Sequence, residues 1–194
     1  MNGLSKRQKE IVEAALKLIS EGGIQALTMK NLARVLGITE PALYRHFENK
    51  HDILLNVLLY FIKETESIFS DIMNSNLSPI EKIRQIFIKH FEKFTSNPAI
   101  AIILFSEGIF QLDERLLHNV KALMNFSAEK LIEILKEGQR TKTIREDIPA
   151  EELALILMGT LRLQVLRWRL KFFSFDLNEE GKKIWASLEK IIKG

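Results

Sequence analysis

Apolar residues recur along this chain with helical spacing, and no segment shows the strict alternation expected of a half-buried strand. Ile11, Ala15 and Ile19 fall on one face of a first helix. The pair Gly22-Gly23 follows them, and glycine tolerates the positive φ that commonly ends a helix. The pattern therefore predicts a first helix that stops at this glycine pair.

Two short helices are predicted between residues 28 and 47. Thr28 is placed to cap the first of them, and Gly37 breaks it. Thr39 is placed to cap the second, which carries Pro41 in its first turn, where a missing N–H costs nothing. Leu32, Ala33 and Leu36 of the first helix can pack on Leu43 and Phe47 of the second, with Ile38 filling the turn. This is the plan of a helix-turn-helix, whose second helix enters the major groove of DNA.

Longer helices follow. The helix that begins near Asn49 is apolar nearly all round in its first half, which predicts burial on several sides. Ser78 and Glu81 form a capping box, and a helix from Asp113 is predicted to stop at Gly138. The remaining start signals are Asn97-Pro98, Pro149, and Asp176 with Glu179. We therefore predict an all-α fold of about nine helices with short connections, the last two at about 150–171 and 177–192.

Composition limits the class of protein. The chain has 194 residues, of which 46% are hydrophobic, which suits one domain or one core with a small module and excludes disorder throughout. The absence of cysteine excludes disulfides, thiolate metal sites and a cysteine nucleophile. Charges near the start argue against an export signal, and the most apolar stretch, 153–161, is about half of a membrane span. We expect a soluble, cytoplasmic protein with no membrane partner.

Charge is distributed unevenly. Residues 1–50 hold 8 Lys and Arg against 5 Asp and Glu, whereas residues 51–194 hold 20 of each kind. Of the 12 phenylalanines, only Phe47 precedes residue 50. This predicts a small basic head, residues 5–65, joined to a neutral, Phe-rich body, residues 66–194.

Three strings in the head carry a family likeness: Leu32-Ala33, Leu36-Gly37-Ile38 and, above all, Leu43-Tyr-Arg-His-Phe-Glu-Asn-Lys50. Over residues 6–60 the chain resembles the tetracycline-repressor (TetR/AcrR-like) family of bacterial transcription factors. Beyond residue 60 the likeness is one of length and helix count. The resemblance implies a repressor that binds a palindromic, double-stranded DNA operator as a homodimer and is released by a small effector.

The resemblance also implies DNA contacts. Tyr44, Lys50 and Thr28 would hold phosphates, and Arg45 would make a bidentate contact with guanine. The predicted DNA-binding residues are Thr28, Lys30, Thr39, Glu40, Pro41, Ala42, Tyr44, Arg45, His46 and Lys50. Alternatives remain open: Tyr44 as a packed surface residue, Lys50 and Glu40 as solvated side chains, and Arg45 at a phosphate or in solvent. His46 fits packing or a phosphate better than base reading.

The Phe-rich body predicts a pocket for a largely apolar, lipophilic effector, although such residues most often form core. The candidate pocket residues are Phe61, Phe69, Phe87, Phe91, Phe105, Phe110, Phe126 and Arg162. Arg162 would meet an effector carboxylate, or be exposed or paired across a dimer. By resemblance, the last two helices form the dimer contact. Its candidate residues are Leu166, Trp168, Ile184, Trp185 and Leu188, with Trp185 alternatively sealing the core of one subunit.

An enzyme is not expected. The chain lacks a Gly-rich phosphate loop, a G-x-S-x-G string and an H-E-x-x-H string, and its four histidines are scattered. Glu48 and His51 match the E-x-x-H di-iron signature, but a second copy is absent. We therefore expect no cofactor and no metal. The remaining alternative is an all-helical adaptor that keeps the head without binding an operator.

Overall fold

A computed structural model describes residues 4–106, 108 and 113–193 of the chain. Nine helices have both ends within those residues, and no strand occurs among them. The helices are α1 (Lys6–Ala26), α2 (Met29–Leu36), α3 (Glu40–Tyr44), α4 (Lys50–Met73), α5 (Pro79–Ser96), α6 (Pro98–Leu104), α7 (Glu114–Arg140), α8 (Ala150–Leu170) and α9 (Leu177–Lys193). The predicted all-α fold is confirmed. No helix in the described ranges is long and apolar enough to cross a membrane.

Two predicted helix ends involve glycine. Gly23 interrupts α1 with φ 69° and ψ −173°, so the regular helix breaks at the predicted glycine pair, and a short helical segment then continues to Ala26. The Asn31 side chain donates to the Ala26 carbonyl over 3.0 Å and so satisfies the added turn. Helix α7 continues two residues past the predicted end at Gly138, to Arg140, and a Cβ at Gly138 would come within 2.4 Å of Ile144. Close packing, and not helix termination, requires that glycine.

The chain divides into two compact units. The first unit comprises residues 1–63 and 97–121, and the second comprises residues 64–96 and 122–194. In the first unit α1 packs against α2 and α6, and α2 packs against α3; in the second unit α5, α8 and α9 pack together. Helices α4 and α7 each contribute residues to both units. This division groups residues 97–121 with the N-terminal helices, unlike the contiguous ranges 5–65 and 66–194 expected from sequence.

The core of the second unit contains a buried histidine. His90 on α5 is 8% exposed, and its Nδ1 donates to the Ile86 carbonyl over 2.7 Å. The ring of Phe69 meets it edge-on, with the ring centroids 6.0 Å apart. Burial lowers the pKa of His90, against a smaller opposing effect of the bond to Ile86. The imidazole is therefore neutral in the folded chain.

The buried, neutral His90 makes stability depend on pH. In the unfolded chain the imidazole binds a proton below its ordinary pKa of about 6.5, whereas the folded chain resists protonation. The free energy of unfolding should therefore be constant above about pH 6.5 and fall below it, by at most about 1.4 kcal/mol per pH unit from this group. Urea unfolding between pH 5 and 8 should show this slope in the wild type and a weaker slope in His90→Gln. Equal slopes in the two proteins would contradict the assignment.

Candidate functional site

A tight reversal joins α2 to α3. Gly37 adopts the left-handed conformation, with φ 65° and ψ 33°. The N–H of Ile38 donates to the Ala33 carbonyl over 3.0 Å, and the N–H of Gly37 donates to Arg34 over 3.3 Å. These two bonds form a Schellman motif, which a Cβ at Gly37 would strain. The turn of the predicted helix-turn-helix thus depends on backbone geometry that glycine adopts readily.

Apolar burial fixes the orientation of these helices. Leu32 of α2 and Leu43 of α3 are fully buried, and Ala33 and Phe47 are nearly so. Leu36 and Ile38 are only half-buried. Helix α3 ends at Tyr44, three residues earlier than the predicted segment. Its inner side is thus anchored by Leu43 and, just beyond its end, by Phe47.

All ten predicted DNA-binding residues remain accessible to solvent. The exposed members are Thr28, Lys30, Thr39, Pro41, Tyr44 and Arg45, and the half-buried members are Glu40, Ala42, His46 and Lys50. Thr28 Oγ1 accepts the N–H of Asn31 over 3.0 Å, and Thr39 Oγ1 accepts the N–H of Ala42 over 3.4 Å. Each hydroxyl keeps its own proton for donation. The surface therefore offers hydroxyl, phenol and guanidinium donors.

Two amide side chains that sequence reasoning missed hold this surface in place. Gln8 Oε1 accepts the N–H of Ser5 over 3.0 Å, while Gln8 Nε2 donates to the carbonyl of His46 over 3.3 Å. Asn49 Oδ1 accepts the N–H groups of His51 and Asp52, over 2.8 and 3.1 Å. Gln8 thus ties the start of α1 to the end of α3, and Asn49 caps α4 next to Lys50. The Ser5-x-x-Gln8 spacing is a capping box that the sequence already displayed.

The predicted effector residues are distributed over both units. In the second unit Phe69 contacts Phe126, with centroids 5.6 Å apart, and Phe87 contacts Phe91, with centroids 6.0 Å apart. Phe61 and Phe105 belong to the first unit. Arg162 on α8 is exposed, and Phe110 lies outside the described residues. The structure therefore offers two separate aromatic groups in the second unit.

The group around Phe69 also contains polar atoms. Thr65 precedes Phe69 by one turn of α4 and is 2% exposed, and its Oγ1 has no hydrogen-bond partner among the described atoms. Neutral His90 contacts the ring of Phe69 edge-on. A buried hydroxyl without a partner costs free energy unless a ligand or water satisfies it. An apolar site with a few neutral polar groups is typical of small-molecule binding.

A second candidate site is a cleft between α5 and α9. It has a volume of about 510 Å³ and is lined by Phe87, Phe91 and Trp185. Such volumes suit small ligands, whose pockets measure about 300–1,000 Å³. At its rim, Arg84 pairs with Glu81 over 3.0 Å and Lys182 pairs with Glu179 over 2.6 Å. Because these rim cations already have carboxylate partners on their own helices, the cleft has no evident preference for a charged ligand.

Most of the predicted dimer residues face inward. Trp168, Trp185 and Leu188 are buried within the chain itself, and Trp168 Nε1 donates to the Phe175 carbonyl over 3.0 Å. Ile184 and Leu166 are half-buried. Trp185 therefore lies in the core of one subunit, which was the alternative position predicted for it.

A different set of apolar residues faces solvent on α8. Leu155, Leu163 and Leu170 are 73%, 57% and 63% exposed, and Ile156 is also exposed. At 100° per residue these four positions and Leu166 fall within an arc of about 100°. From Leu155 to Leu170 this face of α8 holds only these apolar residues and Gly159, and the described residues leave it largely uncovered. No group of three or more potential metal ligands occurs in the part of the chain that is described.

Two family profiles match consecutive parts of the chain. Residues 11–57 match the profile described as bacterial regulatory proteins, tetR family. Residues 59–192 match the profile described as YsiA-like protein, C-terminal region. Together the two matches cover both the helix-turn-helix and the helical body.

Individual proteins match over almost the whole length. The nucleoid occlusion factor SlmA of Vibrio vulnificus is 27% identical over 194 residues, with 97% of each chain covered. The structure of the ketosteroid transcriptional regulator KstR2 of Mycobacterium tuberculosis superposes with a TM-score of 0.83 at 21% identity, covering 98% of this chain and 97% of that one. The regulator FadR of Bacillus subtilis, solved in complex with stearoyl-CoA, gives a TM-score of 0.76 at 22% identity, with 95% and 97% covered. Both structural likenesses concern the fold.

Proposed function

This chain belongs to the tetR family of bacterial regulatory proteins, and we propose that it is a repressor that binds a palindromic operator as a homodimer and is released by a largely apolar effector. As a family member it is a DNA-binding transcriptional regulator and not an enzyme. The observation that carries the proposal is the surface around α3. It keeps Tyr44 and Arg45 exposed while Leu43 and Phe47 hold the helix from within.

The proposed DNA contacts divide into two kinds. Thr28, Tyr44 and Lys50 contact phosphates, and the N-terminus of α4 adds its partial positive charge beside Lys50. Thr39, Glu40, Ala42 and Arg45 meet base edges, with Lys30, Pro41 and His46 at the margins of the groove. Phosphate contacts set affinity and its dependence on salt, whereas base contacts set sequence preference. The two kinds are therefore separable by experiment.

Footprinting on DNA upstream of the chain's own gene should reveal a palindromic protected site. On that duplex, Lys50→Ala should weaken binding to all sequences and lower the salt slope by about one unit per subunit. Arg45→Ala should instead relax preference at one base pair of each half-site, at a cost of about 1–3 kcal/mol. Fluorescence anisotropy across a salt series measures both effects.

Two outcomes would contradict these assignments. A wild type without salt-sensitive duplex binding would favour the adaptor alternative. An unchanged sequence preference in Arg45→Ala would show that Arg45 does not read a base.

We place the effector at the apolar group formed by Thr65, Phe69, His90 and Phe126. Its two neutral polar side chains and two aromatic rings suit an apolar chain with a carbonyl, such as a fatty acyl thioester. The stearoyl-CoA complex of the B. subtilis relative, whose fold is similar, makes an acyl-CoA the first compound to test. The Thr65 hydroxyl would then donate to the ligand carbonyl, which supplies its missing partner.

Thr65→Val removes this hydroxyl while keeping the volume of the side chain. Because the hydroxyl has no partner among the residues that the structure describes, thermal stability should be unchanged or higher. The concentration of stearoyl-CoA needed to release half of the bound DNA should nevertheless rise several-fold, by anisotropy. Thr160→Val, whose hydroxyl bonds to the Ile156 carbonyl over 2.8 Å, is the matched control. Release of Thr65→Val at the wild-type concentration would contradict this site, and a wild type that stearoyl-CoA leaves on DNA would contradict this effector.

We assign dimerisation to the exposed apolar face of α8 that contains Leu155, Ile156, Leu163, Leu166 and Leu170. Burial of such a stripe against its copy from a second chain removes apolar surface from water and gives a two-fold symmetric contact. This assignment replaces the sequence-based set centred on Trp168, Trp185 and Leu188, since those side chains already serve the core of one subunit.

Leu163→Asp should break the dimer without unfolding the subunit, because residue 163 is 57% exposed in the single chain. Sedimentation velocity should show a dimer for the wild type and a monomer for the variant, with equal helical content by circular dichroism. Leu77→Asp, at an exposed leucine outside α8, should remain dimeric. A dimeric Leu163→Asp would move the interface elsewhere, and a monomeric wild type would refute the homodimer.

A further inference from the structure

An arginine joins the starts of two helices in the first unit. Arg115 lies in the first turn of α7, and its Nη2 donates to Asp52 Oδ1 in the first turn of α4 and to Asp113 Oδ2, over 2.7 Å in each case. Its Nε also donates to Asp113 Oδ1, over 3.1 Å. One guanidinium therefore bridges two carboxylates that are 61 residues apart along the chain.

The Arg115 side chain is 52% exposed, but its two carboxylate partners are largely covered. The side chains of Asp52 and Asp113 are only 15% and 11% exposed. Asp113 Oδ1 also accepts the backbone N–H of Arg115, over 2.9 Å, which fixes the carboxylate at the start of α7. The hydrogen bonds from Arg115 hold the pKa of Asp113 below its ordinary value. Asp113 is thus fixed by the backbone at the start of α7, and Asp52 lies in the capped first turn of α4.

The bridge lies beside the proposed phosphate contact. Asp52 follows Lys50 by two residues, and Asn49 caps the first turn of α4, which contains both, by accepting the N–H groups of His51 and Asp52. A carboxylate there would by itself repel a phosphate, so Arg115 has two possible effects. It offsets negative charge near the DNA, and it ties the start of α4 to α7.

We propose that Arg115 is a positioning residue, which fixes the N-terminus of α4 and thereby Lys50 for contact with the DNA backbone. The inference rests on the function proposed above and extends it, because it names a contact through which α7 acts on the DNA-binding surface. Helix α7 runs on to Arg140 and contributes residues 122–140 to the second unit. The bridge from Arg115 to Asp52 thus connects α7 to the helix turn that carries Lys50.

The direction in which Asp52→Ala changes DNA affinity distinguishes a positioning role of Arg115 from an effect of charge alone. Asp52→Ala removes a negative charge near the phosphate site, so a charge effect alone would raise DNA affinity. Loss of the bridge should instead lower it, by about three- to tenfold. Glu48→Ala is the matched control, because exposed Glu48 precedes Lys50 by two residues just as Asp52 follows it. That variant should bind about two- to threefold more tightly.

Arg115→Gln completes a double-mutant cycle on the footprinted duplex. It should weaken binding, and the Asp52→Ala/Arg115→Gln double variant should be no weaker than Arg115→Gln alone. Tighter binding by Asp52→Ala, or additive effects in the cycle, would overturn the proposal.

Hydrogen exchange gives a readout that requires no DNA. Both single variants should lose protection in the first two turns of α4 while their melting temperatures stay near that of the wild type. Unchanged protection would refute the positioning role even if the wild type failed to bind a duplex. That failure, in turn, would refute the proposed function and leave the exchange result to decide on the bridge.

Discussion

Burial of Leu32, Leu43 and Phe47 is the contact on which the candidate DNA surface depends. Helix α3 has five residues and α2 has eight, and helices of this length are not stable in isolation. Their conformation is therefore a product of packing within the first unit. Because these apolar side chains turn inward, Tyr44 and Arg45 remain outside. A chain that lost this small core would lose its DNA-binding surface without any change in the contact residues themselves.

Apolar packing orients the helices of the first unit, and hydrogen bonds at the helix ends then fix their positions more closely. Thr28, Thr39 and Asn49 each accept a backbone N–H at the start of a helix. These caps fix where α2, α3 and α4 begin, and hence where the proposed phosphate contacts lie. Gln8 then connects α1 to the segment that follows α3, and Arg115 connects the start of α4 to α7. The surface is thus held by polar contacts that leave most of its donors available.

The second unit follows a different principle, because its helices are long and its core is aromatic. Thr65 and neutral His90 are polar groups within an otherwise apolar environment around Phe69. Burying them without a ligand costs stability that an apolar core would have retained. Such a cost is consistent with the effector site proposed there. The exposed leucines of α8 are likewise unfavourable in a single chain, because they place apolar surface in water. Packing against a second subunit would bury them.

The sequence by itself determined the all-α class, most helix starts and the turn at Gly37, because caps, proline, glycine and helical spacing are local signals. It also identified the family through Leu43 to Lys50, a string within one short segment, and the resemblance supplied the DNA-contact candidates. Only the tertiary structure decided which apolar side chains are buried within one subunit and which remain exposed. It placed Trp168 and Trp185 inside and Leu155 and Leu163 outside, and it showed Gly138 to be a packing glycine. Periodicity reveals that a helix has an apolar face, whereas the neighbour that covers it is fixed by residues far away in the chain, as Arg115 and Asp52 illustrate.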